Sequence, residues 1–305
     1  MRQKKILLMW ITMLMLISLV SACTPAAPGG QDAGGLPLPV AVSIVPQQYF
    51  VQRIGGEHVV VDVLVPPGAD PHTYEPKPEQ MARLNDTAVY FSIGVDFEAA
   101  WLPRIAASNP DMVIVDTTKG IERIPMEGHH YGNEADHEHE EGGLDPHIWV
   151  SPSLVKIQSQ AIYESLAELG PAHKADYQAN LNTFLADIDT LDRDIRQTLE
   201  NTTNRQFIVF HPAWGYFARD YGLEMVPVEV GGQEPSAAEM AEIVKVAREG
   251  NIRVIFAQPE TSTRTAETIA NEIGGEVLLI DPLAPDWMAN LRQVADTFNK
   301  VLNRE

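Results

Sequence analysis

Between His173 and Glu200 the chain runs for roughly 28 residues without a glycine or a proline. Tyr177, Leu181, Phe184, Ile188, Leu191, Ile195 and Leu199 recur through it at steps of three and four. Such spacing puts one apolar stripe on an uninterrupted helix. At 1.5 Å per residue the stretch spans about 42 Å, further than a single small lobe reaches. Residues 171–203 are therefore expected to form a rod joining two lobes. The competing reading is a surface helix packed along one of them.

On each side of the rod, short β-branched runs alternate with helix-like segments, the pattern of an α/β fold with mainly parallel strands. Strands are predicted over residues 40–45, 59–64, 88–92 and 112–116, and again over 206–210, 224–228, 254–257 and 277–280. Pro227 confines the sixth of these to a sheet edge or a strand end, because proline gives no N–H to a ladder. Helices are predicted over 47–54, 78–84, 97–107, 214–221, 236–249 and 262–273. Another begins at Ser151-Pro152, serine as N-cap and proline at the first helical position, and stops at Gly170-Pro171. The fold class is thus two similar α/β lobes, each a mainly parallel four-stranded sheet with helices, at 40–170 and 204–305.

The first residues address the compartment. Arg2, Lys4 and Lys5 precede an apolar run from Ile6 to Val20, and small residues lead into Cys23. This predicts a signal peptide over 1–22. The run is short for a membrane-spanning helix, which needs about 20 apolar residues. The segment "VSAC" resembles a lipoprotein box, making Cys23 the expected acylation site. An ordinary secretory signal that happens to contain a cysteine is the alternative. Cys23 is the only cysteine, so no intrachain disulfide is possible. Residues 23–39 are rich in proline, glycine and alanine and read as a flexible tether. Losing the three signal-peptide cations leaves 19 Lys and Arg against 42 Asp and Glu. A body so acidic is a poor partner for nucleic acid or an anionic lipid surface.

The segment 127–143 breaks the alternation. His129, His130, His137 and His139 stand among five acids with glycines at both ends and no apolar period. It is expected to be a loop that gathers borderline metals weakly.

Isolated candidates fall in a regular place. His72 in "DPHTYEP" follows the second predicted strand, and His147 in "DPHIW" follows the fourth. His211 comes directly after the fifth and Asp281 after the eighth. All four lie beyond carboxyl ends of strands, where open parallel sheets place ligands. Each adjoins a proline, Pro71, Pro146, Pro212 or Pro282, which fixes the backbone and reduces the entropy lost in holding a side chain. Singly, a histidine there is an ordinary structural residue and Asp-Pro a turn starter. Together, three imidazoles and a carboxylate are the donor set of a borderline cation such as zinc.

The segments "DPHTYEP", "DPHIWVSP", "FHPAWGYFARDYGL", "EPSAAEMAEIV" and "AETIANEIGGEVLLIDPL", with the histidine-acid loop, give the chain a family likeness. It resembles the metal-binding lipoprotein or periplasmic component of zinc and manganese ABC importers, the helix-linked class of solute-binding proteins. The likeness covers nearly the whole chain after the signal. It implies two lobes bridged by one long helix, with a single metal in the cleft held by His72, His147, His211 and Asp281. Histidine at the third position resembles the zinc branch, where the manganese branch has glutamate, and Gln258 stands where a more acidic residue is often found. The implied partners are a membrane permease and its ATPase, with the protein a monomer exported and lipid-anchored outside the cell membrane. The expected cargo is Zn2+, with Mn2+ or iron as the alternative. A zinc hydrolase is a third reading, disfavoured by the lack of an HExxH motif and by a shell that Asp281 would close. A surface adhesin is a secondary role open to lipoproteins of this kind.

Overall fold

The computed structural model describes residues 36–126, 143–229 and 232–303. The signal segment, Cys23, nearly all of the tether and the loop histidines 129, 130, 137 and 139 lie outside them. From Pro37 onward the chain is one compact unit.

Two four-stranded sheets carry the lobes, and every strand pairing in them is parallel. The first holds β1 (Leu38–Val42), β2 (Val59–Val63), β3 (Val89–Ser92) and β4 (Val113–Asp116) in the order β2-β1-β3-β4. The second repeats that order with β5 (Gln206–Val209), β6 (Glu224–Pro227), β7 (Val254–Ala257) and β8 (Glu276–Leu279), as β6-β5-β7-β8. All eight predicted strands are present. Pro227 is the last residue of β6, an edge strand, which is where a residue without an N–H does least harm. Strand β1 begins at Leu38, so the ordered body takes in two residues expected to belong to the tether.

The first lobe carries α1 (Val45–Gly55), α2 (Pro78–Arg83), α3 (Asp96–Ser108) and α4 (Pro152–Leu169). Ser151 caps α4 as its sequence indicates, its hydroxyl accepting the Leu154 N–H at 3.3 Å with Pro152 at the first position. The second lobe carries α6 (Gly215–Tyr221), α7 (Ala237–Glu249), α8 (Arg264–Glu272) and α9 (Trp287–Leu302). No element is expected from the sequence after residue 280, and α9 is the correction. Asp286 caps it by accepting the Ala289 N–H at 3.1 Å, and Trp287, Met288, Leu291, Val294, Ala295, Phe298 and Leu302 form its buried stripe.

Between the lobes runs α5 (Lys174–Leu199), 26 residues and so about 39 Å long, after a short turn at Pro171–His173. Its buried residues are the seven of the predicted stripe. That stripe packs on α1 and α4 from the first lobe and on α9 and α6 from the second. The rod is therefore glued along its length to both lobes, and the surface-helix alternative does not hold. Arg53 of α1 meets Asp187 of α5 at 2.6 Å, while Trp287 of α9 sets its ring 5.1 Å from Phe50 of α1.

The second sheet shows why its strands read as continuous apolar runs. Ile208, Val226 and Ile255 point to the face covered by Ile243 and Ala247 of α7 and Ala266 and Ile269 of α8. Phe207, Val209 and Phe256 point to the other face, towards Phe298 of α9 and the core shared with the first lobe. A sheet buried on both sides cannot show polar alternation.

Candidate metal centre

Each lobe delivers its histidines from the carboxyl ends of its strands. His72 lies on the connection between β2 and α2, and His147 on the one between β4 and α4. His211 sits two residues past β5, next to the point where the strand order reverses. The loop backbones are pinned locally. Asp70 Oδ1 accepts the His72 N–H at 2.9 Å, and Asp145 Oδ1 accepts the His147 N–H at 2.8 Å. This shared turn explains why "DPH" occurs twice: the aspartate fixes the backbone that presents the ring.

The three imidazoles meet. His211 Nε2 stands 3.1 Å from His72 Nε2 and 3.2 Å from His147 Nε2, and the donor atoms of all three lie within 4.8 Å of one another. Three nitrogens at 2.0–2.1 Å from a tetrahedral zinc stand about 3.3 Å apart, close to the observed spacing. His147 is 2 % exposed and His211 9 %, with His72 on the more open side.

Behind each ring is a carboxylate. His72 Nδ1 is 2.6 Å from Asp96 Oδ2, His147 Nδ1 is 2.7 Å from Asp145 Oδ1, and His211 Nδ1 is 2.7 Å from Glu229 Oε2. A carboxylate accepts, so the imidazole proton belongs on Nδ1 and the Nε2 lone pair is aimed at the common point. Carboxylate–imidazole pairs of this kind orient a metal-binding histidine and raise its basicity. Three converging lone pairs repel one another, and a cation relieves that repulsion. The three carboxylates supply the negative field that a dication needs after leaving water.

Burial lowers the pKa of His147, and the neighbouring imidazoles His211 and His72 add to the effect over the opposing influence of Asp145. For His72 burial also works downward, but the hydrogen bond to Asp96 and the charges of Asp70, Asp96 and Glu229 outweigh it, and its pKa is raised. His72 thus takes up a proton before His147 as pH falls. Of these two rings, His72 is the first to lose its Nε2 lone pair.

Asp281 does not join the cluster. Among the described residues, the group at this point is His72, His147 and His211. The Asp281 side chain serves its own turn, Oδ1 accepting the Leu283 N–H at 2.7 Å, and its carbonyl accepts Asn290 Nδ2 at 2.7 Å. Asp before Pro here behaves as the turn starter that its sequence equally allows. Gln258 is buried directly after β7. Nearby, Glu260 has a buried Oε2 without a hydrogen-bond partner. Burial first, then the charges of Asp281 and Asp70, push its pKa up to about 7.

Asp96, Asp145 and Glu229 are the functional residues that the sequence analysis misses. Only Asp145 had a local signal, two residues before His147 in "DPHIW". Asp96 comes from the first turn of α3 and Glu229 from just after β6, and nothing in their local spacing links them to a histidine. Replacing Asp96 with asparagine is expected to weaken zinc binding at pH 7.5 by about 10- to 100-fold, the usual cost of losing such a partner. Because Asp96 holds the His72 pKa up, its removal also lets that pKa fall, and the acid limb of the affinity profile moves to lower pH. A chelator competition run from pH 5.5 to 8 reads both effects, and an unmoved acid limb would contradict the assignment.

Two α/β lobes held by one long helix, with imidazoles from both facing a single point, define the helix-linked class of metal-binding solute-binding proteins. The chain belongs to the ZnuA family, zinc-uptake complex component A periplasmic, whose family model it matches over residues 40–301. It is 32 % identical over 277 residues to the high-affinity zinc uptake system protein ZnuA of Bacillus subtilis, covering 87 % of this chain and 85 % of that protein. The crystal structure of a ZnuA superposes with a TM-score of 0.82 at 45 % identity, over 88 % of this chain and 100 % of the other. A ZnuA deletion mutant with zinc bound matches equally, with a TM-score of 0.82 at 45 % identity, covering 88 % and 99 % of the two chains.

Proposed function

We propose that this protein captures Zn2+ outside the cytoplasm with His72, His147 and His211 and delivers it to the permease and ATPase of an ABC importer. The observation that carries the reading is the convergence of three Nε2 atoms from two lobes, each with a carboxylate on Nδ1. Neutral imidazoles suit zinc, whereas manganese and magnesium favour oxygen donors. Membership of a zinc-uptake family and the zinc named for its relatives support the same cargo.

His72 and His147 come from the first lobe and His211 from the second, so a small opening of the cleft would break the shell and release the ion. Trp149 bridges the same boundary, its Nε1–H donating to the Pro282 carbonyl at 2.7 Å, and Trp287 Nε1–H donates to the Trp149 carbonyl at 2.7 Å. Attachment through an acylated Cys23, and action as a monomer, complete the proposal. With Asp281 outside the cluster, a closed shell no longer speaks against hydrolysis. Membership of an uptake family does.

Titrating metal-free protein with zinc and manganese in competition at equal free concentration, read by calorimetry, tests the cargo. Zinc is expected to displace manganese, as the order of first-row affinities requires for a nitrogen-rich site. Preference for manganese would overturn the assignment.

A further inference from the structure

A second group of metal-binding side chains lies outside the cleft, at the foot of the rod. His58 ends the short helical turn Gly56–His58 before β2, His173 ends the turn Pro171–His173, and Asp176 is in the first turn of α5. Their donor atoms lie within 4.8 Å of one another, although His58 and His173 are far apart in sequence. The two imidazole rings stack with centroids 3.8 Å apart and planes 14° from parallel, and His58 Nε2 meets Asp176 Oδ2 at 3.1 Å.

The backbone beneath is fixed. Asn180 of α5 donates from Nδ2 to the Ile54 carbonyl at 3.1 Å, tying the rod to the end of α1. The buried Tyr177 ring lies edge-on to His58 at 5.8 Å and at 65° to His173 at 6.2 Å. His58 and His173 are half-buried while Asp176 is exposed, so an ion could enter from solvent and complete its shell with water.

We propose that His58, His173 and Asp176 form a second, weaker site for a borderline divalent cation of the zinc class, clamping the first lobe to the start of the connecting helix. Two imidazoles and one carboxylate are the three-ligand set of open zinc sites, and the two nitrogens disfavour calcium and magnesium. Nearly parallel rings aim their lone pairs side by side, so one ring must splay to let both nitrogens reach one ion. In contrast to the cleft histidines, neither of these rings has, among the described residues, a carboxylate behind its second ring nitrogen. That support is worth about 10- to 100-fold in affinity, so this site fills at least that much later than the cleft.

Zinc is the probe. Crystals of the exported chain grown in excess zinc are expected to show an anomalous peak at the zinc edge between His58, His173 and Asp176, in addition to the one in the cleft. In solution, the variant carrying His58→Gln, His173→Gln and Asp176→Asn is expected to bind one zinc equivalent fewer than the wild type. Its tight equivalent should remain, and so should any contributed by residues 127–143, which both proteins retain. No peak at this position, or equal stoichiometry in the two folded proteins, overturns the proposal. The crystal needs no variant and decides the matter if the triple substitution fails to fold. Loss of the cleft peak alone would overturn the cargo assignment and leave this site standing.

Discussion

Replacing His147 with alanine should lower zinc affinity by more than about 100-fold, beyond the range that loss of a supporting carboxylate produces. His147 is the most buried of the three imidazoles, and its lone pair stays available further into acid than that of His72, because burial lowers its pKa. It is also the most tightly placed of the three rings. Asp145 holds both its backbone N–H and its Nδ1, and the Asp145 carbonyl in turn accepts the Tyr216 hydroxyl at 2.9 Å from the second lobe. Removing the ring leaves two imidazoles, one of them the half-buried His72, whose pKa is raised. The metal-free variant should still melt cooperatively, since the backbone bond to Asp145 survives, but zinc should no longer raise its unfolding temperature appreciably. Binding to the native state alone stabilises by RT ln(1 + [L]/Kd), so a weaker Kd appears directly as a smaller shift. Calorimetric titration beside thermal melts reads both quantities. Affinity within a factor of about ten of the wild type would mean that His147 is not a ligand.

Replacing Phe184 with alanine should destabilise the metal-free protein by about 3–5 kcal/mol, the usual range for emptying a buried aromatic site. Phe184 is fully buried at the middle of the rod. Its ring lies 6.0 Å from Tyr49 and 6.1 Å from Phe50, both of α1, and 6.3 Å from Trp287 of α9. The Arg53 guanidinium sits 4.9 Å from its centroid. One side chain of the connecting helix thus touches both lobes, and neighbours held on two separate helices cannot easily collapse into the space it leaves. Chemical denaturation of metal-free protein measures the loss. A cost under about 1 kcal/mol, the scale of an ordinary point substitution, would show that the rod does not depend on this cluster. Zinc affinity should fall less than in the His147 variant, because Phe184 acts only through the placement of the lobes.

The two-lobed architecture was legible because its signals are local. β-branched runs bounded by turns mark the eight strands, and the stripe from Tyr177 to Leu199 marks the rod. The C-terminal helix carried comparable signals in Asp286 and the spacing from Trp287 to Leu302. They follow Pro282 and Pro285 closely, where a run of turn residues obscures the start of the period. The histidines were legible for a related reason: each stands beside a proline on a connection leaving the carboxyl end of a strand, a position set by nearby sequence. Their carboxylates were not, because Asp96 and Glu229 reach their rings across the fold, 24 and 18 residues away in sequence. Asp281 is the opposite case. Its strand-end position and Asp-Pro pair fit either a ligand or a turn, and in the structure its carboxylate accepts the Leu283 N–H and lies outside the three-histidine group.

The central claim is that three imidazoles from two lobes share one zinc ion. X-ray absorption at the zinc K-edge, on protein loaded with a single equivalent, addresses it most directly. The structure predicts a shell containing three imidazole nitrogens at 2.0–2.1 Å, a signature that disappears when His72, His147 and His211 are replaced together. An unchanged spectrum from that variant, or an oxygen-dominated shell in the wild type, would contradict it.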